Sequence, residues 1–340
     1  MKKPTQSDVA RLAGVSRATV SYVINGKDTM GVPISSETRQ RVLHAVDQLG
    51  YVVNAGAQAL RSGDTKTIGV FLPIYENPFF WQVLRGISAE AQASGYKLLL
   101  AHSSLTEEQE NQQVKELAEQ RVDGLILLTE FKSLPDQIMD QLRESSRPIV
   151  EISSTPSDFD YVHDGYAVGT QVLMSHLFEL GHRRIAFIHG VKLPALGLDR
   201  LNAYQQALED ADIPVDDSLI NHCGPSMDDG YQATCELLKQ SDRPTAIVVI
   251  NDLLGIAAIR AAVDLGFKVP DDVSIASFDD IPFTSFTVPR LTTVAGTPEK
   301  NGRDAVRLLL KRLTTPDRPR EIIIAGWQLH IRESTGPAPR

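Results

Sequence analysis

Between Ser16 and Asn25 the chain sets Arg17, Ala18, Thr19, Ser21 and Tyr22 around an apolar series, Val20, Val23 and Ile24, that recurs at helical spacing. Ser16 can cap such a helix, whose outer side then offers a guanidinium, hydroxyls, a phenol and the Asn25 amide. These groups donate to and accept from base edges and phosphate oxygens, a chemistry of reading rather than of bond making. A second polar set lies at the ends of short apolar runs: Tyr75, Asn77, Ser103, Ser104, His163, Asp164, Asn251, Asp252 and Asp279, with Phe79 and Phe80 beside Asn77. Catalytic spacings are missing: the sequence has no nucleophile elbow, no phosphate-cradling GxxxxGK and no HExxH. His182 stands just ahead of an apolar run, as a structural residue would. His222 and Cys223 with Cys235 would leave zinc short of a fourth ligand. No enzyme activity, metal or cofactor is expected.

Short capped helices must carry the first set. Thr5 and Asp8 have capping-box spacing at the head of a helix from Gln6 to Ala13, with Val9, Ala10, Leu12 and Ala13 on or beside its apolar face and Gly14 as a left-handed stop. Only Gly14, Val15 and Ser16 separate it from the second helix, which is the helix-turn-helix pattern. Ser35 opens a third helix with Val42, Ala45, Val46 and Leu49 as its buried stripe and Gly50 as its end. Residues 27–33 form a loop open to two uses, a backbone contact through Lys27 or a surface insertion. Asn54 can cap a segment reaching Leu60, but so short a helix is unstable alone in water. Further on, apolar strands at 67–72, 96–101, 124–128, 148–152, 185–189, 246–250 and 273–277 alternate with helices at 79–93, 107–120, 166–179, 200–210, 229–239 and 253–265. That alternation implies parallel sheets covered on both faces, and at this length two sheets rather than one.

Composition agrees. The 340 residues are 42% apolar and 23% charged, a globular balance with room for two or three domains. No run approaches the length of a membrane helix, and Met1-Lys2-Lys3-Pro4 begins no secretory segment, so a cytoplasmic protein without a membrane partner is expected. The net charge of -9 is unevenly placed: Met1 to Arg61 holds eight basic against four acidic residues, and the rest of the chain 26 against 39. A basic end on an acidic body suits a nucleic-acid contact confined to that end.

The string from Asp8 to Asn25, DVARLAGVSRATVSYVIN, followed by Glu37-Thr38-Arg39, Arg41-Val42, Leu49-Gly50-Tyr51 and Asn54, resembles the DNA-binding domain of the lactose repressor and galactose repressor family of bacterial transcription regulators. Asn77-Pro78-Phe79-Phe80, Arg121-Val122-Asp123-Gly124, Gly181-His182-Arg183, Asn251-Asp252, Phe278-Asp279-Asp280 and Arg332-Glu333-Ser334-Thr335 are similar to later landmarks of that family. The resemblance implies an all-α helix-turn-helix DNA-binding domain at 1–53, a hinge helix and linker at 54–65, and an α/β core at 66–340 like periplasmic sugar-binding proteins. That core would have two doubly wound lobes, an N-lobe of about 66–162 and 292–322 and a C-lobe of about 163–291 and 323–340. It also implies that Arg17, Ala18 and Tyr22 face base edges, while Thr5, Ser16, Thr19, Ser21 and Asn25 serve phosphates and helix placement. Asn54, Ala57, Leu60 and Arg61 would be the hinge contacts, with Leu60 as a minor-groove wedge.

In the interlobe cleft the resemblance makes Arg200 and Asp279 the grip on a ligand, aided by Tyr75, Asn77, Phe79, Phe80, Asp164 and Asn251. A rigid donor fork and an acceptor pair suit vicinal hydroxyls. Structural uses stand beside these roles: Asp164 and Asp252 as helix caps, Phe79 as core, His163 as lining of the mouth. Tyr22 replaces an arginine common in the family, so the preferred operator should differ there. Gly56 weakens the hinge helix. The function expected is a homodimeric repressor of carbohydrate-utilisation genes that binds a pseudo-palindromic operator and responds to a sugar inducer. The alternatives are a corepressor-dependent regulator answering to a purine or a phosphorylated metabolite, and a ligand-binding adapter that signals through a protein.

Overall fold

The computed structural model describes residues 4–24, 34–51, 64–73, 77–103, 112, 115–117, 122–128, 136–145, 147–153, 156–190 and 198–339. The chain divides into two compact units, Met1–Thr65 and Lys66–Arg340. In the first, α1 (Gln6–Ala13), α2 (Arg17–Ile24) and α3 (Ser36–Leu49) enclose Val9, Ala10, Ala13, Val20, Val23, Val42 and Ala45. The expected caps form. Thr5 and Asp8 exchange the reciprocal bonds of a capping box, and Gly14 ends α1 at φ 65°, ψ 36°, a conformation that costs a glycine least. Leu12 departs from expectation: it is 46% exposed, because the neighbouring Ala13 and Val9 already fill the contact with α2 and α3. Asn25, the 27–33 loop, and the hinge with Asn54, Gly56, Ala57, Leu60 and Arg61 lie outside the described residues.

Among the described residues the second unit holds two six-stranded sheets. One takes β1 (Thr67–Pro73), β2 (Lys97–Ser103), β3 (Gly124–Leu128), β4 (Ile149–Ser153), β5 (Asp160–His163) and β11 (Ile322–Ile324), all parallel, in the order β11-β5-β4-β3-β1-β2. The other takes β6 (Ile185–Ile188), β7 (Ile220–Asn221), β8 (Ala246–Val249), β9 (Ser274–Phe278), β10 (Thr292–Ala295) and β12 (Gln328–His330), ordered β12-β10-β9-β8-β6-β7, with only β12 antiparallel to its neighbour. Strand periodicity drives burial on both faces. Ile68, Val70, Ile126, Val150 and Ile152 join one core, while Phe71, Leu125, Leu127 and Ile149 join the core behind the sheet.

Helices α4 (Pro78–Ala93), α5 (Asp136–Glu144) and α10 (Pro298–Thr314) belong to the first lobe, and α6 (Tyr166–Glu179), α7 (Leu198–Asp210), α8 (Met227–Leu238) and α9 (Asp252–Asp264) to the second. Of the helix expected at 107–120, residues 112 and 115–117 are described and helical. The expected lobe boundaries need correction. Residues 292–295 pair with β9 and β12, so the N-lobe resumes at α10 rather than at 292, and its last strand runs to Ile324 rather than 322. Its first stretch likewise extends to His163. The chain therefore passes between the lobes at 163–166, 295–298 and 324–328. Within the N-lobe α4 and α10 approach closely because Gly86 and Gly302 have no side chains: a Cβ on Gly86 would lie 2.0 Å from the Glu299 carbonyl oxygen.

Candidate functional site

On α2 the side chains sort by angle. At about 100° per residue, Arg17, Ala18, Ser21 and Tyr22 share one arc, and Val20 and Val23 turn to the opposite side. Val20 and Val23 are buried while Arg17, Ala18 and Tyr22 are exposed, Tyr22 at 42%. The hydroxyls beside them are already engaged. Ser16 Oγ accepts from the Thr19 amide at 3.0 Å and lies 2.9 Å from Thr19 Oγ1, which fixes the start of α2. Thr5 donates its hydroxyl to Asp8 Oδ2 at 2.7 Å, fixing the start of α1. The helix-turn-helix thus presents a guanidinium, a methyl and a phenol on a surface whose Thr5, Ser16 and Thr19 hydroxyls also fix the helix starts.

In the core, residues just beyond the carboxyl ends of β1 and β9 meet across the lobes, and in open α/β sheets ligands bind beyond the carboxyl ends of the strands. Arg200, on the first turn of α7, is 4% exposed; its guanidinium carbon sits 3.2 Å from the centroid of the Tyr166 ring and 5.6 Å from that of Phe278, and its Nη1 donates to the Ile250 carbonyl at 3.1 Å. Asp279 follows β9 with φ 106°, and Asp280 with φ 53°. Two consecutive non-glycine residues in left-handed conformations are strained, a condition that concentrates at functional sites. Asn77 Nδ2 donates to Asp279 Oδ2 at 3.0 Å, joining the lobes, while Asn77 Oδ1 accepts from the Phe79 amide and caps α4. Asp164 is buried and does not cap α6: the cap position belongs to Gly165, at φ 69°. Asn251 does cap α9, accepting from the Leu254 amide at 3.0 Å, and Asp252 is the first residue of that helix rather than its cap.

Phe79 and Phe80, expected among the ligand contacts, pack in the apolar core where the lobes meet. They are 5% and 3% exposed and packed edge to face, with Ile281 from the other lobe in the same apolar cluster. Burial between the lobes gains more for a phenyl ring than lining a wet cleft would. His163 Nδ1 accepts from the Gly165 amide at 2.9 Å, a turn-holding role. Tyr75 and Ser104 lie outside the described residues.

Tyr166 and Asp252 have roles at this site that the motifs alone do not disclose. Tyr166 is the platform under Arg200, 34 positions away and so invisible to local pattern. Asp252 accepts from Ser277 Oγ at 2.5 Å, Thr293 Oγ1 at 2.6 Å and the Ile281 amide at 2.7 Å, tying β9, β10 and the loop that bears Asp279 to the start of α9. Burial first, and then the charge of Asp279, push the Asp252 carboxyl well above the ordinary carboxylate range, against the pull of those bonds. His182 is structural: it is buried, with Nδ1 3.0 Å from Thr245 Oγ1 and Nε2 3.0 Å from Ser274 Oγ. His189 and His222, at the ends of β6 and β7, meet at 3.1 Å between their Nδ1 atoms. Among the described residues no group of three or more His, Cys, Asp and Glu side chains could hold a metal ion, and no helix is long and apolar enough to cross a membrane.

Comparison with known proteins gives a consistent picture. The model of bacterial regulatory proteins of the lacI family matches residues 5–54, and that of a periplasmic binding protein-like domain matches residues 174–335. The HTH-type transcriptional repressor PurR of Mannheimia succiniciproducens is 32% identical over 334 residues, 97% of this chain and 98% of its own. Among solved structures, the transcriptional regulator CelR in complex with cellobiose is 30% identical with a TM-score of 0.72, over 97% of this chain and 99% of that one. The lac repressor dimer bound to operator and the anti-inducer ONPF is 26% identical with a TM-score of 0.86, over 98% and 100%.

Proposed function

This chain belongs to the lacI family of bacterial regulatory proteins, DNA-binding repressors under the control of a small effector, and we propose that Arg17, Ala18 and Tyr22 read the base edges of its operator. The observation that carries this reading is the α2 arc, where the only exposed groups are those able to specify bases. Ser16, Thr19, Ser21, Asn25 and Thr5 then set the helix on the phosphates, and Asn54, Ala57, Leu60 and Arg61 form the hinge contacts. One such helix reads too few base pairs alone, so the operator is a pseudo-palindrome bound by a homodimer. The exposed Phe283, Phe286, Val288 and Ile331 of the C-lobe supply an apolar surface for that pairing.

The effector sits between the lobes, with Arg200 and Asp279 as its grip and Asn77, Asp164 and Asn251 around it. A ligand that engages Asp279 competes with Asn77 for the carboxylate and so bears directly on how the lobes meet. The PurR relative favours a corepressor of purine type over the sugar inducer that the sequence first suggests. The CelR complex with cellobiose supports the sugar as a second reading. Selection of bound oligonucleotides, repeated with purine bases and with mono- and disaccharides, tests both. A pseudo-palindrome recovered only with a purine present supports the first reading, and one lost on adding a sugar supports the second. Binding that is blind to sequence would overturn the assignment of α2.

A further inference from the structure

The line of polar groups along the carboxyl ends of the second sheet continues past Arg200. β8 leads to Ile250, whose carbonyl receives Arg200. Its neighbour β6 leads to His189 and the edge strand β7 to His222, and the pairings Ile188 with Val249 and Ile188 with Asn221 set these residues side by side. At a strand spacing of about 4.8 Å, two steps place His222 about 10 Å from Ile250. That reach exceeds one sugar or purine ring and matches two rings joined end to end.

The two histidines form a built feature. His189 is completely buried and His222 is exposed; their rings pack edge to face at 5.2 Å, with Phe187 6.2 Å behind His189. Strand pairing here uses the backbone, the His189 amide donating to the Asn221 carbonyl at 2.9 Å, so the imidazole contact is additional to it. A buried ring that bonds to an exposed one holds it in one orientation and leaves its far edge set toward solvent at the end of the strand row.

We propose that His222, positioned by His189, is a second subsite of the effector cleft, taking a hydroxyl of a sugar ring joined to the moiety held at Arg200 and Asp279. The proposal rests on the reading of Arg200 and Asp279 given above. With Nδ1 held by His189, the Nε2 edge of the His222 imidazole is left to bond one hydroxyl of such a ring. Asp228 and Asp229, in the first turn of α8 just after His222, oppose a phosphate in the same place. The sugar ring can come from a nucleoside or a disaccharide, since both extend a first ring by a second one bearing hydroxyls.

Calorimetry on the full chain with matched probes separates these sources: adenine and adenosine, guanine and guanosine, hypoxanthine and inosine, glucose and cellobiose. The expected result is one pair in which the two-ring member binds about tenfold tighter or better, with His222→Ala bringing the pair to near equality and His222→Asn, which keeps a donor and an acceptor, restoring part of the difference. No gain in any pair that binds, or a gain that survives His222→Ala, overturns the subsite. A gain that His222→Ala abolishes but Arg200→Ala leaves intact overturns the grip at Arg200 while upholding the subsite. Failure of every probe to bind overturns both.

Discussion

Arg200 is a buried cation held over one aromatic ring and within reach of another, and it donates to the Ile250 carbonyl. Such a group is oriented before any ligand arrives, so its removal should appear in affinity more than in folding. Arg200→Ala is expected to weaken effector binding by about 2–5 kcal/mol, and Arg200→Lys to recover little of it, because an ammonium lacks the planar fork; titration calorimetry reads both. At the other end of the chain, Tyr22→Arg should move the selected base pair toward guanine, with about 1–3 kcal/mol of discrimination. An unchanged motif would remove Tyr22 from the reading surface. Burial pushes the Cys223 thiol up to about 11, leaving roughly one thiolate in a thousand at pH 8. Iodoacetamide should accordingly label native protein slowly at this position and unfolded protein quickly, as mass spectrometry would show. At this scale the buried Arg200 and the strained turn at Asp279 fall on residues that stand in recognisable motifs. Their aromatic surroundings do not: nothing local distinguishes a Phe79 that lines a cleft from one that packs between two lobes, and the Tyr166 platform depends on a distant pairing.

Helices announced themselves through their ends. Thr5 with Asp8, Ser35 with Thr38, and Gly14 and Gly50 behave in the structure as their types dictate. Strands were legible where they are central and apolar, as in β1, β3, β4, β6 and β8. The edge elements β5, β7, β11 and β12 were not, because two to four residues carry no periodicity and acquire their partners only from the assembled sheet. α10 is different: Pro298 at its start and the stripe of Ala305, Val306, Leu308 and Leu309 are adequate signals, yet it was not among the helices expected. Its contact with α4 gives a sharp test. A methyl on Gly86 meets backbone at 2.0 Å, and one on Gly302 meets the Val83 carbonyl oxygen at 2.2 Å, where no flexible side chain can yield. Gly86→Ala and Gly302→Ala should each lower stability by about 1–3 kcal/mol or more, measured as a reduced urea midpoint at unchanged slope.

For the whole molecule, Phe286 at 83% and Val288 at 89% exposure are large apolar groups given to solvent. Replacing both by aspartate should convert a dimer to a monomer in sedimentation velocity and weaken operator binding with it; a dimer that survives would place the interface elsewhere. The threading of the core has a consequence of another kind. Because the chain passes between the lobes at 163–166, 295–298 and 324–328, neither lobe is written as one continuous stretch of gene, whereas the described residues of the first unit pack a small core of their own. A single recombination event near the first junction can hand this effector sensor a new operator reader and leave both parts foldable. No single crossover can exchange one lobe for a relative's, so the two walls of the interlobe cleft are inherited together.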